Sequence, residues 1–268
     1  MRLFSTFNTC IFFIFICLAF NAYSYVNAPA ESLTFSTEKY PNTQKNTLTF
    51  YTENYPPSNY LRNNELTGVS VEVLKLMWQK MKMKEQEIYV VPWARGYSNT
   101  LHRANSVLFT MARTPQREKL FKWVGPIYTA EHVLVARENF KEKITQFNQA
   151  FKYNIAAIKD DISEITLIEN NFPEERMALV THLRQAILLL KNKRIDLMII
   201  SKSALKGLLS ENNITMDDIK IIYSVNKVGN YFAFNNQTPD ALILQYQSAF
   251  DAIESKRDAL NKSYGLFH

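Results

Sequence analysis

The sequence predicts an α/β protein with parallel sheets. Short apolar strands alternate with stretches of helical periodicity along most of the chain, the pattern of helices packed on a sheet. Ile195 to Ile200 (IDLMII) is nearly continuous in apolar residues, as a strand covered on both faces requires. No Pro/Gly-rich linker divides the chain, so a second lobe must be an insertion entered and left by strands.

The elements follow in order. Leu48 to Thr52 reads as a first buried strand, broken by Tyr55-Pro56-Pro57. Asn63-Asn64-Glu65 reads as a turn, and Gly68 precedes a helix from Val69 to Met83 with apolar residues at Val69, Val73, Leu76, Met77 and Met81, close to helical spacing. Further strands are expected at Ile88–Val91, Val107–Met111, His132–Ala136, Ile155–Ile158, Ile195–Ile200, Ile219–Tyr223 and Tyr231–Phe234. A helix capped by Thr181 runs through Lys191, and Thr238-Pro239 starts a last long helix.

Residues 1–24 read as a secretory signal peptide. Arg2 precedes an uninterrupted apolar run from Cys10 to Phe20, too short to span a bilayer, which takes about 20 residues. Ala22-Tyr23-Ser24 then supplies a small-x-small cleavage site, with Ala28 as a second choice. Residues 25–45, rich in Ser, Thr, Asn and Pro, read as a leader with little structure of its own. Both cysteines, Cys10 and Cys17, fall in the segment to be removed, so an oxidising compartment is allowed but not exploited. The periplasm is the expected location.

The remaining chain, about 240 residues, is long enough for one large domain or two lobes. The full sequence is 47% hydrophobic and 13% aromatic, a globular composition. The net charge of +6 falls to +5 without Arg2, and the basic residues are dispersed. Lys80, Lys82 and Lys84 read as a solvated helix end. No basic stripe with interleaved stacking aromatics argues for nucleic acid. The four histidines, His102, His132, His182 and His268, lie far apart without metal-ligand spacing. Neither a P-loop, nor G-x-G-x-x-G, nor G-x-S-x-G occurs. The expectation is therefore no metal, no cofactor and no nucleic acid; the chain is expected as a monomer.

Val107 to Pro126 makes the most specific chemical offer. An apolar strand ends at Ala112-Arg113, and Thr114-Pro115 reads as a helix start with Arg117 in its first turn. Free backbone N–H groups and an arginine there suit a carboxylate or phosphate.

Six motifs follow one another along the chain: Thr52-Glu53-Asn54-Tyr55-Pro56-Pro57, Leu66-Thr67-Gly68-Val69, Pro92-Trp93-Ala94-Arg95, Ala112-Arg113-Thr114-Pro115-Gln116-Arg117, Phe121-Lys122-Trp123-Val124-Gly125-Pro126 and Arg194-Ile195-Asp196-Leu197. Their order resembles that of the family 3 periplasmic solute-binding proteins, and the match covers roughly residues 46–265. The resemblance implies a two-lobed fold of type II, each lobe a mainly parallel sheet flanked by helices. Two crossing strands, near His132–Arg137 and Lys227–Tyr231, would form the hinge. Lobe one would be residues 46–133 plus 230–268, and lobe two the inserted 134–229.

The same resemblance implies roles for particular residues. Arg117 matches the arginine that grips the ligand's carboxylate, a task suited to the bidentate guanidinium. Arg113 either joins it or pairs with Glu118. Thr110 and Ala112 fall where backbone faces the ligand. Ser201 stands where many amino-acid receptors carry an aspartate for the ligand's ammonium, and Lys159-Asp160-Asp161 replaces a Gly-Thr/Ser loop. Asp161 or Asp160 could restore the missing negative charge. Glu53, Tyr55 and Arg95 are further cleft candidates, while Trp93 and Trp123 read as packing and Asp196 as structural. The implied function is capture of a small, at least partly anionic solute for an ABC permease or a sensor. Two alternatives are a cyclohexadienyl-dehydratase-like enzyme on the same fold, with Glu53 as acid, and an orphan regulatory module.

Overall fold

The structure, a computed structural model, describes residues 47–266. The expected signal peptide and leader lie outside the described residues. The chain enters with β1 (Thr49–Thr52) and a hairpin, β2 (Tyr60–Arg62) and β3 (Glu65–Thr67). Asn63 and Asn64 close that hairpin at φ 52° and 65°, left-handed positions that asparagine tolerates. Next come α1 (Val69–Lys80), β4 (Ile88–Val90), α2 (Trp93–His102), β5 (Ser106–Ala112) and β6 (Phe121–Arg137). The chain continues with β7 (Ile155–Ile158), α3 (Ile162–Glu169), β8 (Met177–Val180), α4 (Leu183–Lys191), β9 (Leu197–Ser201) and α5 (Lys202–Glu211). It closes with β10 (Ile219–Asn235), α6 (Asp240–Asp251) and α7 (Glu254–Ser263).

Eight strands form one mixed sheet in the order β4-β1-β5-β10-β6-β9-β7-β8. The outer pairs on each side, β1 with β4 and β5, and β7 with β8 and β9, are parallel. The central contacts, β5–β10, β10–β6 and β6–β9, are antiparallel. Pairing with β5 begins at Asn230 of β10, and pairing with β9 begins at His132 of β6. Between them Thr129, Ala130 and Glu131 pair with Gly229, Val228 and Lys227, without an outer strand on either side. The sheet thus narrows to a two-stranded ribbon at its middle. Residues His132–Arg137, expected as the first crossing, are instead mostly bonded to β9, and the ribbon lies just before them.

One apolar cluster runs through both halves, with Tyr51, Trp93, Leu108 and Phe121 alongside Val135, Ile158, Ile200 and Leu208, and each half adds a cluster of its own. On one side Phe50, Val73, Leu74, Trp78, Phe232 and Phe250 pack together, with Phe50 edge-on to Trp78 at 5.1 Å. On the other, Leu134, Ile155, Leu167, Phe172, Leu197 and Ile199 form a second cluster. Each such side chain contributes about 1.5–3 kcal/mol of burial free energy, so both halves are stabilised without a disulfide.

The structure corrects several expected elements. His132–Ala136 is part of a 17-residue strand, and Ile219–Tyr223 and Tyr231–Phe234 are two ends of another. The middle of β10, from Ser224 to Gly229, is polar and partly exposed, so no apolar run marks it. The helix cap moves from Thr181 to His182, whose Nδ1 accepts the Gln185 N–H. The last helix breaks at Ala252-Ile253 into α6 and α7. No helix starts at Thr114. The Thr114 carbonyl accepts the Arg117 N–H at 3.0 Å, and the Arg117 carbonyl accepts the Leu120 N–H. These are successive turns, which β6 cuts off at Phe121.

Candidate functional site

The loop after β1 is built by backbone bonds. The Tyr55 N–H donates to the Asn59 carbonyl at 2.6 Å, and Asn59 Nδ2 donates to the Glu53 carbonyl at 2.7 Å. The first amides of α1 then clamp this loop, since Val69 and Ser70 donate to the Pro57 and Ser58 carbonyls. Gly68 permits the approach: at φ 116°, a Cβ there would lie 2.5 Å from the Ser58 oxygen. Glu53 and Tyr55 are thereby held at the strand's carboxyl end, where α/β sheets place ligand groups.

Thr110 lies in β5 at φ 64°, an uncommon conformation for a β-branched residue. The β5–β10 register shifts opposite it, so Thr110 is a bulge that re-aims the strand. Its Oγ1 lies 2.6 Å from Asn59 Oδ1 and 2.8 Å from Ser70 Oγ. Along β6, Tyr128, Ala130 and His132 alternate onto one face, and all three line a small cavity. The Tyr128 hydroxyl sits 2.5 Å from Ser58 Oγ.

The other half closes the cavity from below. Asp161 caps α3, its Oδ2 accepting the Ser163 N–H and hydroxyl at 3.3 and 3.0 Å. Ser201 caps α5 through the Ala204 N–H at 3.2 Å. Glu53, Tyr55, Thr110 and Ala112 from one half meet Asp161 and Ser201 from the other around about 20 Å³ of enclosed space, room for roughly one water molecule. Asn230 and Ile162 complete the wall.

The halves are joined by hydrogen bonds across this cavity. The Tyr55 hydroxyl donates to Ser201 Oγ at 3.1 Å. The Asp160 carbonyl accepts from Trp93 Nε1 at 2.8 Å and from Arg117 Nη2 at 2.7 Å. Asp160 turns its carbonyl there at φ 60°. On the outside, Gly207 of α5 packs against the Pro56 ring.

Burial sets the protonation of the lining groups. It pushes the Glu53 carboxyl well above the usual carboxylate range, reinforced by the charge of Asp161. It raises the Tyr55 and Tyr128 hydroxyls and lowers the His132 imidazole, against the opposing pull of Asp161. His132 Nδ1 lies 3.1 Å from Asn226 Oδ1, while Asn226 Nδ2 donates to Thr166. Nδ1 therefore carries the proton, and Nε2 is left as an acceptor.

Three of the residues singled out in the sequence lie outside the cavity wall. Arg117 is 1% exposed and is occupied structurally. Its Nη1 donates to the Ala112 carbonyl at 3.1 Å, and its guanidinium carbon lies 5.4 and 5.3 Å from the Trp93 and Tyr97 ring centroids. Arg113 is exposed and pairs with Glu118 through two bonds of 2.7 and 2.6 Å. Arg95 is exposed on α2. Reading the sequence missed Tyr128, Ala130, His132, Ile162 and Asn230. The alternation in Tyr128-Thr129-Ala130-Glu131-His132 would have found three of them, had β6 been read at full length. Among the described residues no group of His, Cys, Asp and Glu is placed to hold a metal ion, and no helix is long and apolar enough to cross a membrane.

The sequence profile of the bacterial extracellular solute-binding proteins, family 3, matches residues 48–256. The chain belongs to this family. No curated protein matches it. Among solved structures this solute-binding protein is similar to a histidine kinase sensor domain with similarity to periplasmic binding proteins. That match has 16% identity and a TM-score of 0.76, covering 83% of this chain and 97% of that one. It is also similar to the substrate-binding protein of an amino acid ABC transporter, at 17% identity and TM-score 0.70, covering 81% and 98%. A third likeness is to the arginine-, lysine-, histidine-binding protein of Geobacillus stearothermophilus, at 12% identity and TM-score 0.72, covering 81% and 94%. These likenesses establish the two-lobed fold.

Proposed function

We propose that this protein captures a small polar solute between its lobes and presents it, closed, to an ABC permease or a membrane sensor. The observation that carries the reading is the placement of one cavity at the ribbon where β6 and β10 join the halves. Closure about such a ribbon is hinge motion. Because the enclosed space is about 20 Å³, against some 300–1,000 Å³ for ordinary ligand sites, solute enters only after the lobes separate. We place lobe one at residues 46–133 with 230–268, lobe two at 134–229, and the mature protein in the periplasm after loss of residues 1–24.

The carboxylate expected at Arg117 is accommodated on this reading only in the separated form. Opening breaks the bond from Arg117 to Asp160 and frees one guanidinium edge. The protein acts by binding alone. Isothermal titration of the protein with amino acids, organic acids and small peptides tests this, with scattering to follow closure. Binding accompanied by a smaller radius of gyration supports it, and an inert panel counts against it.

One observation supports a second reading. Burial holds the Glu53 carboxyl well above the usual carboxylate range in a cavity that also contains His132, a shift in the direction a general acid needs. Turnover of prephenate or arogenate by the purified protein would favour a dehydratase, and binding without turnover would remove it.

A further inference from the structure

The charge of the cavity points to a narrower solute class than the fold does. Glu53 is 9% exposed. It lines the cavity, and none of the described hydrogen bonds or ion pairs reaches its carboxyl group. Asp161 is equally buried and uses one carboxylate oxygen to cap α3, leaving Oδ1 without a described partner. His132 Nε2 is a third acceptor on the same wall.

The arginine and helix end nearest the cavity are largely engaged by the protein itself. The N-terminus of α3 reaches the cavity at Ile162, but Asp161 caps it with its own charge. Arg117 points two of its nitrogens at the Ala112 and Asp160 carbonyls, between two aromatic rings; its Nε has no partner among the described residues, but the side chain stands outside the cavity wall. No lysine or arginine lines the cavity. Glu53 also borders a second, outer groove of about 390 Å³ between the lobes, within the range of ordinary ligand sites. Pro56, Val91 and Pro92 from one lobe and Leu183 and Leu208 from the other supply its apolar wall, and His182, Arg184 and Glu211 line it as well.

Resting on the solute-binding reading above, we propose that the solute is a small primary amine without an α-carboxylate. Its ammonium group sits between Glu53 and Asp161, and its apolar body lies in the outer groove. An ammonium group fills the volume of one water and donates three hydrogen bonds, which the two carboxylates and His132 Nε2 accept. Burial and the charge of Asp161 both raise the Glu53 carboxyl, and no lysine or arginine stands beside it on the cavity wall. A bound ammonium would ionise it and form the charge-assisted pair. A carboxylate brought to the same place would face two acids.

The test is titration calorimetry of the full mature chain with matched compounds at pH 7.5. The panel is leucine, 3-methylbutylamine and 4-methylpentanoate, with lysine and cadaverine as a second pair. Amines that bind at least tenfold tighter than their amino acids, with 4-methylpentanoate inert, are the expected result. Glu53→Gln and Asp161→Asn, each folded by circular dichroism, should then weaken the amine tenfold or more. Tighter binding of leucine or lysine than of the amines would overturn the amine class and leave the solute-binding reading intact. Unchanged amine affinity in both variants would overturn the placement and the proposal with it. If all five compounds are inert, and native mass spectrometry of the protein from its host finds no bound solute, both readings fail together.

Discussion

The hydroxyl of Tyr55 donates to Ser201 Oγ across 3.1 Å, joining residues 146 positions apart and from opposite lobes. Both ends are fixed before they meet. Tyr55 is held by the Asn59 carbonyl, and Ser201 is pinned as the cap of α5. Tyr55→Phe removes only the hydroxyl. It should cost about 1 kcal/mol of the closed form, a shift of roughly fivefold toward separated lobes. Small-angle scattering of the unliganded protein reads this as a larger radius of gyration. An unchanged radius would mean that the bond does not hold the lobes together.

Gly207 makes a different prediction because two effects oppose each other. A Cβ at that position would lie 2.9 Å from Pro56 Cβ, closer than packed carbons tolerate, and the proline ring has little freedom to yield. Alanine in the middle of a helix is otherwise favoured over glycine by roughly 1 kcal/mol. Gly207→Ala should therefore keep or raise the thermal midpoint while weakening solute affinity several-fold. A variant with unaltered affinity would place α5 and Pro56 outside the closing motion.

Arg117 is predicted to matter for stability more than for charge recognition. Arg117→Met leaves the Ala112 and Asp160 carbonyls without their donors and empties the slot between Trp93 and Tyr97. The expected loss is about 2–4 kcal/mol in urea unfolding. Arg117→Lys should recover little of it, since one ammonium cannot serve both carbonyls in the planar geometry. A loss below about 1 kcal/mol for the methionine variant would contradict the buried role.

Two buried groups give opposite pH dependences. Glu53 is held above its ordinary 4.5, so above that pH the unfolded chain loses a proton that the folded chain keeps. Its contribution to stability is complete below pH 4.5 and is lost as pH rises through the folded value. His132 is held below its ordinary 6.5, so on acidification the unfolded chain takes up a proton first. Its contribution is complete above 6.5 and declines as pH falls. The groups facing this pair are Asp161, Tyr55 and Tyr128, with Arg117 acting on Asp161. Glu53→Gln should be more stable than the parent at pH 8 and equal to it at pH 4. His132→Gln should lose the decline below pH 6.5. Parallel stability curves for parent and variants across pH 4–8 would refute both assignments.

Legibility followed burial. The strands that lie wholly in a core, such as Ile155–Ile158 and Leu197–Ser201, announce themselves as apolar runs. The hairpin at Asn63-Asn64 is marked by its turn residues. The ribbon is not, because Ser224–Gly229 meets water and carries no apolar period. Of the candidate residues, Glu53, Tyr55, Thr110, Ala112, Asp161 and Ser201 line the cavity; Glu53 is marked by its place just past a strand, whereas Thr110, Ala112, Asp161 and Ser201 stand out only through the motif resemblance. Arg113, Arg117 and Arg95 stand close to the motifs in sequence, but their partners are distant or in solvent. Tyr128, Ala130 and His132 were hidden within a strand longer than its apolar part.

The sequence by itself determined the α/β class, the family, the apolar strands and the loops that carry the cavity's residues. These depend on short-range periodicity, turn chemistry and motif order, which neighbouring residues settle among themselves. The tertiary structure alone decided that Arg117 points two of its donors at Ala112 and Asp160, that Asp161 caps the end of α3 at the cavity, and that Glu53 is left there without a described partner. Each of these outcomes depends on which groups from distant segments reach one another first. Buried donors and acceptors must be satisfied wherever the packing places them, and that placement cannot be read along the chain.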